Sequence, residues 1–466
     1  MKKTFLILFG CVVLVSCSHE TEILNESFNE QKELQNLVET NDNQNVTLTD
    51  IQAYMKKGSA IASRNGGDGE IEIVTYQNDT VMYLLKYCNG WEMMPGDKRF
   101  PLRVAYNDEG TLDYANMHEA QRAWFDNMAE EIHVMKKYGK GIENEYCKVW
   151  STFSKNSKKK NSPRTRSGNG EWMYHNTREV VNVEEKNHLI STHWGQWSSR
   201  MLRGLPDYNM YCPLNSTGTN KSPAGCAAVA GAQVLYYFHK LWGVPNKMVT
   251  SASYINNEYI FNGWDSSKWT EIARGDLDVD NGMEAIALLI GDVGFRSDMN
   301  YQDSISETSL SKLTNALNDY GIGSSGMNSW DVEIIRNNIK SNKPIIVGIT
   351  GTVSNGKETG HILIIDGYKH VTTTYTDVYI YISDPNSYHG DMYDHDESGN
   401  PVPEEGPTME ETYATIQTYY QVNWGYEDED NAYYLSYNPL YYDYGGNMGT
   451  VVYNRNKAML YNFYVK

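Results

Sequence analysis

The 466-residue sequence has few cysteines, a deficit of basic side chains and few long apolar runs. Six cysteines over this length are too few for a disulfide framework, so free thiols are the expected state. With 40 Lys and Arg against 59 Asp and Glu, the formal net charge is −19, which argues against a general nucleic-acid binder. Phenylalanine is also scarce, at 10 residues against 36 tyrosines, and tyrosine suits half-wet sheet surfaces and clefts. We see no internal repeat.

The first residues predict export. Two lysines precede the apolar stretch Phe5–Val15, which is too short to span a bilayer comfortably, and no later run is long enough either. The stretch ends in Leu-Val-Ser-Cys at 14–17, the pattern of a bacterial lipobox. We therefore predict a lipoprotein signal peptide over 1–16, with Cys17 lipidated and the protein in the cell envelope. The alternative is an ordinary signal peptide that happens to end in cysteine.

Composition divides the rest of the chain into four segments. A polar tether over 17–47 precedes a compact α+β domain predicted for 48–153. Residues 154–170 contain no apolar anchor and carry four lysines and two arginines, so they cannot bury enough surface to order themselves. We interpret them as a basic linker that a protease cuts; a plain interdomain linker is the alternative. Residues 171–466 form the last and largest segment.

The pattern of that largest segment is helices first and strands later, which indicates an α+β fold with an antiparallel sheet. A helical half packed on a β half would place a cleft between the two. The predicted helices of the whole chain begin at 48 or cover 117–137, 222–240 and 282–294, and the predicted strands are 71–76, 81–85, 344–350, 361–366, 377–383, 419–424, 432–436 and 450–453.

Cys226 has the surroundings of a nucleophilic thiol. Pro223 and Gly225 predict a turn just before it, so Cys226 should lie in or near the first turn of the helix that follows. Unpaired N–H groups and the helix dipole favour a thiolate there. The small residues after it allow that helix to pack closely, although a buried cysteine in an alanine-rich core helix has the same pattern.

His361 is the candidate general base. It follows Gly360 at the start of an apolar strand, 135 residues downstream of Cys226, and papain-type enzymes place the base about 130–150 residues after the nucleophile. A thiolate–imidazolium pair would lower the thiol pKa and supply a proton to the leaving amine. The competing histidines at 370, 389 and 395 lie in polar, loop-like sequence.

Two amides complete the candidate set. Asn423, at the end of a predicted strand, could accept the ring N–H of His361, and Trp424 could shield that bond from water. Gln196 lies 30 residues before Cys226 and could donate to an oxyanion together with the Cys226 backbone N–H. The order Gln, Cys, His, Asn is far more specific than any one of these residues.

These motifs resemble the streptopain family of secreted bacterial papain-fold cysteine proteases. The resemblance covers the C-terminal region and rests on several short motifs: Trp194-Gly-Gln196, Tyr208-Asn209, Cys212-Pro213, Ala224-Gly-Cys226-Ala, Ala232-Gln233, Asp292-Val-Gly294, Met299-Asn-Tyr301, Gly360-His361, Ile365-Asp366-Gly367 and Val422-Asn-Trp-Gly425.

The resemblance implies a papain-like two-lobe catalytic domain behind a smaller inhibitory propeptide domain. It gives Gln196, Cys226, His361 and Asn423 the roles of oxyanion donor, nucleophile, base and orienting group, with Trp424 as the shield. It also implies an endopeptidase that prefers an apolar side chain at P2, acts on protein or peptide substrates, is inhibited by its own propeptide and needs no cofactor. The sequence departs from the family in the long 197–207 link and in the acidic loop 426–430.

Other interpretations remain open. A surface lipoprotein that binds protein or glycan would explain the export signal and the aromatic residues, but not the ordered Gln, Cys, His and Asn. A papain-fold enzyme with another acyl-transfer outcome is a third possibility. Cys212 lacks an alanine-rich helix, and a disulfide between Cys212 and Cys226 would silence the enzyme. We expect no metal site, since the acidic runs 394–397 and 427–430 lack an EF-hand pattern.

Overall fold

The structure is a computed structural model. It describes residues 44–65, 69–139, 141–153, 171–197, 207–245, 267–273, 281–352, 358–382, 408–426, 431–436 and 458–466. The predicted signal peptide, Cys17, most of the tether and the basic linker lie outside these residues. No described helix is long and apolar enough to cross a membrane.

The described residues of the N-terminal region, 44–153, form four strands and four helices. Helix α1 begins at Leu48 because Thr47 and Asp50 form a reciprocal capping box: each side chain accepts a hydrogen bond from the other residue's backbone N–H. This confirms the predicted helix start. The elements of the N-terminal region are α1 (Leu48–Lys57), α2 (Ala60–Arg64), β1 (Glu70–Tyr76), β2 (Asp79–Lys86), β3 (Trp91–Pro95), β4 (Ala105–Asn107), α3 (Glu119–Tyr138) and α4 (Glu145–Ser151).

The region from residue 171 onward supplies the remaining elements. Its helices are α5 (Cys226–Trp242), α6 (Ser267–Ala273), α7 (Asn281–Arg296), α8 (Leu310–Asp319) and α9 (Val332–Lys340). Its strands are β5 (Glu171–Lys186), β6 (Asn300–Tyr301), β7 (Ser306–Glu307), β8 (Ile322–Gly323), β9 (Met327–Ser329), β10 (Ile345–Thr352), β11 (Glu358–Ile382), β12 (Thr408–Asn423), β13 (Ala432–Leu435), β14 (Ala458–Leu460) and β15 (Tyr464–Val465).

One large antiparallel sheet connects the two regions. Its strand order among the described residues is β1-β2-β3-β4-β13-β12-β11-β10-β14-β9, and β5 also pairs with β11. The link between the regions is the antiparallel pairing of β4 with β13, where Tyr106 lies opposite Tyr433. The predicted mixture of helices with an antiparallel sheet is confirmed.

The central strands are buried on both faces, and their side chains alternate between two cores. On β11, Leu363 and Ile365 pack into the core shared with the N-terminal region. Ile362 and Ile364 point the other way, into the core formed with α5, α7 and α8. Strand β11 therefore lies between the N-terminal region on one face and the α5 helix layer on the other.

Several element predictions were wrong in detail. The C-terminal region begins with strand β5 rather than with helices. The two strands predicted at 361–366 and 377–383 are one continuous strand, β11, with a register shift between Ile365 and Gly367 where its pairing with β12 continues. Helix α5 begins at Cys226 and not at Ser222. The predicted strand 450–453 lies outside the described residues.

Candidate active site

Cys226 is the first residue of α5, which agrees with the predicted position in or near the first turn. The chain enters the helix through Gly225, whose φ of +88° is the left-handed conformation that favours glycine. A Cβ at this position would lie 2.9 Å from the Met299 side chain, so the close approach also requires glycine. The small residues that follow let α5 pack tightly, since a Cβ on Gly231 would lie within 2.9 Å of Leu313 and Val293.

The thiol of Cys226 faces the start of β11. Its Sγ accepts a hydrogen bond from the backbone N–H of Ile362 at 3.3 Å, the residue next to His361. Burial raises the thiol pKa, and backbone hydrogen bonds from Ile362 and from the first turn of α5 oppose that effect. The thiol is therefore protonated at neutral pH in this arrangement, despite its position at the helix N-terminus.

His361 is buried on β11 and donates a hydrogen bond from Nε2 to the backbone oxygen of Trp424, at 2.7 Å. A neutral ring that donates from Nε2 keeps Nδ1 as a base. Burial lowers the His361 pKa to about 4, with a smaller contribution from the nearby His118, while the Trp424 bond opposes the shift. At neutral pH the ring is uncharged. The Trp424 ring lies 5.9 Å from the His361 ring.

Asn423 ends β12, where the sequence placed it, but its hydrogen bonds go elsewhere. Its Oδ1 accepts from Gly425 N at 3.0 Å and from Gln233 Nε2 at 3.4 Å. Its Nδ2 donates to Thr192 O at 3.1 Å and to Gln233 Oε1 at 3.2 Å. Among the described residues, the carbonyl next to Asn423 orients His361, rather than the Asn423 amide itself.

Gln196 is buried near the nucleophile loop. Its backbone oxygen accepts a hydrogen bond from Ala224 N at 3.1 Å, and Ala224 lies two residues before Cys226. Gly360 pairs with Thr350 on β10 and brings His361 into the sheet beside Ile349. All four predicted catalytic residues thus lie on segments that meet at the start of α5.

The N-terminal region reaches this site through stacked rings. His118, the residue just before α3, stacks on Tyr426 with ring centroids 3.5 Å apart and planes 7° apart. Tyr426 in turn stacks on His361 at 5.4 Å and 12°. Gln121 of the same helix donates to Tyr434 Oη at 2.8 Å, and the Tyr434 ring meets Trp424 edge-on.

Comparison with known proteins decides the family. Residues 204–434 match the model of the Peptidase C10 family. This segment belongs to the Peptidase C10 family. It is a cysteine-type endopeptidase, which confirms the streptopain resemblance and the predicted enzyme class.

Eleven chains of solved structures match this C10 peptidase. One of them is active wild-type interpain A cysteine protease of Prevotella intermedia, with 19% sequence identity and a TM-score of 0.35. The match covers 59% of this chain and 94% of that chain. No curated protein sequence matches. The family match includes Cys226, His361 and Asn423 but begins after Gln196.

The other cysteines of the C10 peptidase are free thiols where the structure describes them. Cys212 is buried, and burial raises its pKa to about 12; no disulfide joins it to Cys226. His370 does not lie in a loop as predicted: it is part of β11, and its ring bonds Thr418 Oγ1 at 2.8 Å. The competing histidines at 389 and 395 lie outside the described residues.

The described residues of the C10 peptidase contain no group of three or more His, Cys, Asp or Glu placed to hold a metal ion. The two acidic runs without an EF-hand pattern, 394–397 and 427–430, fall outside those residues.

Sequence reasoning assigned no function to three residues of the site: His118, Gln233 and Tyr426. Gln233 had a usable signal, because it lies seven residues after Cys226 and so on the same face of a helix. Tyr426 lies two residues after Trp424, in the loop that follows β12. His118 had no signal, since the packing of the N-terminal region brings it to Tyr426.

Proposed function

We propose that this C10 peptidase is an exported zymogen whose processed form cleaves peptide bonds through Cys226 and His361. The observation that carries the proposal is the position of the thiol: it sits at the N-terminus of α5, with Sγ 3.3 Å from the backbone N of Ile362, beside His361. A helix N-terminus stabilises a thiolate, and an adjacent imidazole can take its proton.

The reaction follows from these groups. His361 Nδ1 accepts the thiol proton, and Cys226 Sγ attacks the carbonyl carbon of the substrate. When the C–N bond breaks, the imidazolium returns that proton to the leaving amine and a thioester remains on Cys226. Water, deprotonated by His361, then hydrolyses the thioester and releases the acid product.

The oxyanion of each tetrahedral intermediate needs donors. The Cys226 backbone N–H and the side-chain amide of Gln196 are our candidates, because the Gln196–Ala224 contact fixes that segment beside the nucleophile loop. Trp424 supplies the carbonyl that orients His361 at 2.7 Å, and Asn423 fixes the chain that carries that carbonyl.

The N-terminal region acts as the inhibitory propeptide in this proposal, packed against a papain-like two-lobe catalytic domain. Two contacts of the N-terminal region support latency. Its β4 strand extends the sheet at β13, and its His118 covers Tyr426, which stacks on His361. Burial keeps the thiol and the imidazole neutral, so the reactive thiolate–imidazolium pair is disfavoured in the intact chain.

Processing would then occur in the basic segment 154–170, and export in lipidated form would place the membrane anchor at Cys17. The anchor would belong to the propeptide, so cleavage would release the catalytic domain from the membrane. Fractionation of cells expressing the Cys226→Ala chain tests this if activation is autocatalytic. Recovery of the full-length variant only from the medium would contradict the anchor.

Casein hydrolysis by processed protein tests the catalytic proposal. We expect Cys226→Ala to reduce cleavage to background and a thiol-alkylating inhibitor to do the same to the unsubstituted enzyme. Cys212→Ala is the matched control, because it removes another free and more deeply buried thiol of the same region. Cleavage that survives Cys226→Ala, or that resists alkylation, would refute the assignment of the nucleophile.

A further inference from the structure

The side chain of Gln233 is fully buried on α5 below the nucleophile. It follows Cys226 by seven residues, which is about two helical turns, or roughly 10 Å along the axis, on the same face. A buried amide in an alanine-rich helix requires partners for its donors and its acceptor, because an unpaired one costs stability.

Those partners come from two other segments of the chain. Gln233 Oε1 accepts from Thr192 Oγ1 at 2.9 Å, from Trp194 N at 3.3 Å and from Asn423 Nδ2 at 3.2 Å. Gln233 Nε2 donates to Asn423 Oδ1 at 3.4 Å. The two amides therefore face each other in a reciprocal pair, each donating to the other.

Each segment held by Gln233 carries one part of the active site. Asn423 precedes Trp424, whose carbonyl lies 2.7 Å from Nε2 of His361. Trp194 precedes Gln196 by two residues, and the Gln196 carbonyl bonds the loop that leads into α5. Gln233 itself is fixed to the helix that begins with Cys226. One side chain thus joins the nucleophile helix, the acceptor for the base and the segment of the oxyanion candidate.

We propose that Gln233 is a positioning residue for catalysis, acting through Asn423 on His361 and through Trp194 on Gln196. The inference rests on the proposed function of Cys226 and His361. This positioning role requires a hydrogen-bond donor at Nε2 of Gln233, because that N–H donates to Asn423 Oδ1. A side chain of the same shape with an oxygen in that place would face the Asn423 oxygen with a lone pair or, when ionised, with a negative charge.

The variants Gln233→Leu and Gln233→Glu test this in protein expressed as the full chain and then activated by limited proteolysis. Gln233→Leu removes both hydrogen bonds between Asn423 and Gln233, and we expect kcat to fall roughly tenfold or more while KM changes little. Gln233→Glu keeps the shape. Burial raises the pKa of an introduced carboxyl group, so at low pH its O–H replaces the lost N–H donor.

The pH profile gives the decisive measurement. We expect the ratio of the Gln233→Glu kcat to the kcat of the unsubstituted enzyme to be near one at the acidic end of the profile. With rising pH, this ratio should decline through one additional ionisation. Asn338→Asp is the matched control: it also turns a buried amide into a carboxyl group, but its partners are Ile334 and Asn462, away from the site. It should add no ionisation to the kcat profile.

Two outcomes overturn the proposal. One is a Gln233→Leu variant with kcat within about twofold of the unsubstituted enzyme; the other is a Gln233→Glu profile parallel to that enzyme at every pH. If thermal unfolding shows that Gln233→Leu does not fold, Gln233→Glu at acidic pH still decides. The proposed function is tested separately from the role of Gln233. If the unsubstituted enzyme showed no cleavage that depends on Cys226, the proposed function would be refuted, whatever the Gln233 variants do.

Discussion

At the scale of single residues, the backbone at Gly225 sets the position of the nucleophile. Its φ of +88° disfavours any other residue, and a Cβ there would also meet Met299 at 2.9 Å and the Ser306 carbonyl at 3.1 Å. We therefore expect Gly225→Ala to shift Cys226 as well as to strain the chain. The predicted result is a lower melting temperature and a loss of kcat/KM of at least about tenfold, measured on processed protein.

Gly243→Ala separates strain from displacement. Gly243, at the C-terminal end of α5, also has a left-handed φ, +68°, but nothing lies within 4 Å of a Cβ built on it. Both variants should lose stability, by roughly 1–2 kcal/mol from the backbone conformation alone. Only Gly225→Ala should lose activity per folded molecule. Equal kcat/KM values for the two variants would contradict a positioning role for Gly225.

At the scale of elements, local patterns predicted some boundaries well and missed others. The Thr47–Asp50 capping box and the turn before Cys226 are encoded within a few residues, and both were found. Helix α8 was missed although Ser309 caps it and Leu313 and Leu317 share its buried face. The extent of β11 was missed because Asp366-Gly367 looks like a strand end, whereas the sheet accommodates it as a register shift.

The candidate site shows the same limit. Short motifs identified Cys226 and His361, because their neighbours in sequence mark them. The actual partner of His361 could not be predicted from sequence, since a backbone carbonyl has no residue signature. The pairing of Gln233 with Asn423 joins residues 190 positions apart and depends on how α5 packs against the end of β12.

The start of α3 provides a prediction at this scale. His118 stacks on Tyr426 and so covers His361, whereas His133, on the same helix, bonds Asp79 at 2.8 Å and meets Tyr76. In the intact chain, His118→Ala should expose the site and speed alkylation of Cys226 several-fold. His133→Ala should not. Equal alkylation rates in the two variants, read by mass spectrometry of the Cys226 peptide, would argue against a covering role for His118.

At the scale of the whole molecule, the pKa shifts of the site predict how the intact chain reacts as a function of pH. A His361 pKa of about 4 means that roughly one ring in a hundred is protonated at pH 6. The raised thiol pKa keeps Cys226 protonated there as well. Alkylation of Cys226 in the intact chain should therefore be slow between pH 5 and 7 and accelerate only in alkaline solution, where the thiol ionises.

Cleavage within 154–170 should change that profile if the N-terminal region is the inhibitor. Once that region dissociates, water can reach His361, its pKa rises towards the usual value, and an imidazolium can stabilise the thiolate at Cys226. Alkylation near pH 6 should then become much faster than in the intact chain. The exposed Cys88 provides an internal reference in the intact chain and in unseparated digests. If cleaved and intact protein gave the same Cys226 profile relative to Cys88, the neutral pair would be a property of the catalytic region itself, and the N-terminal region would have to act by blocking substrate alone.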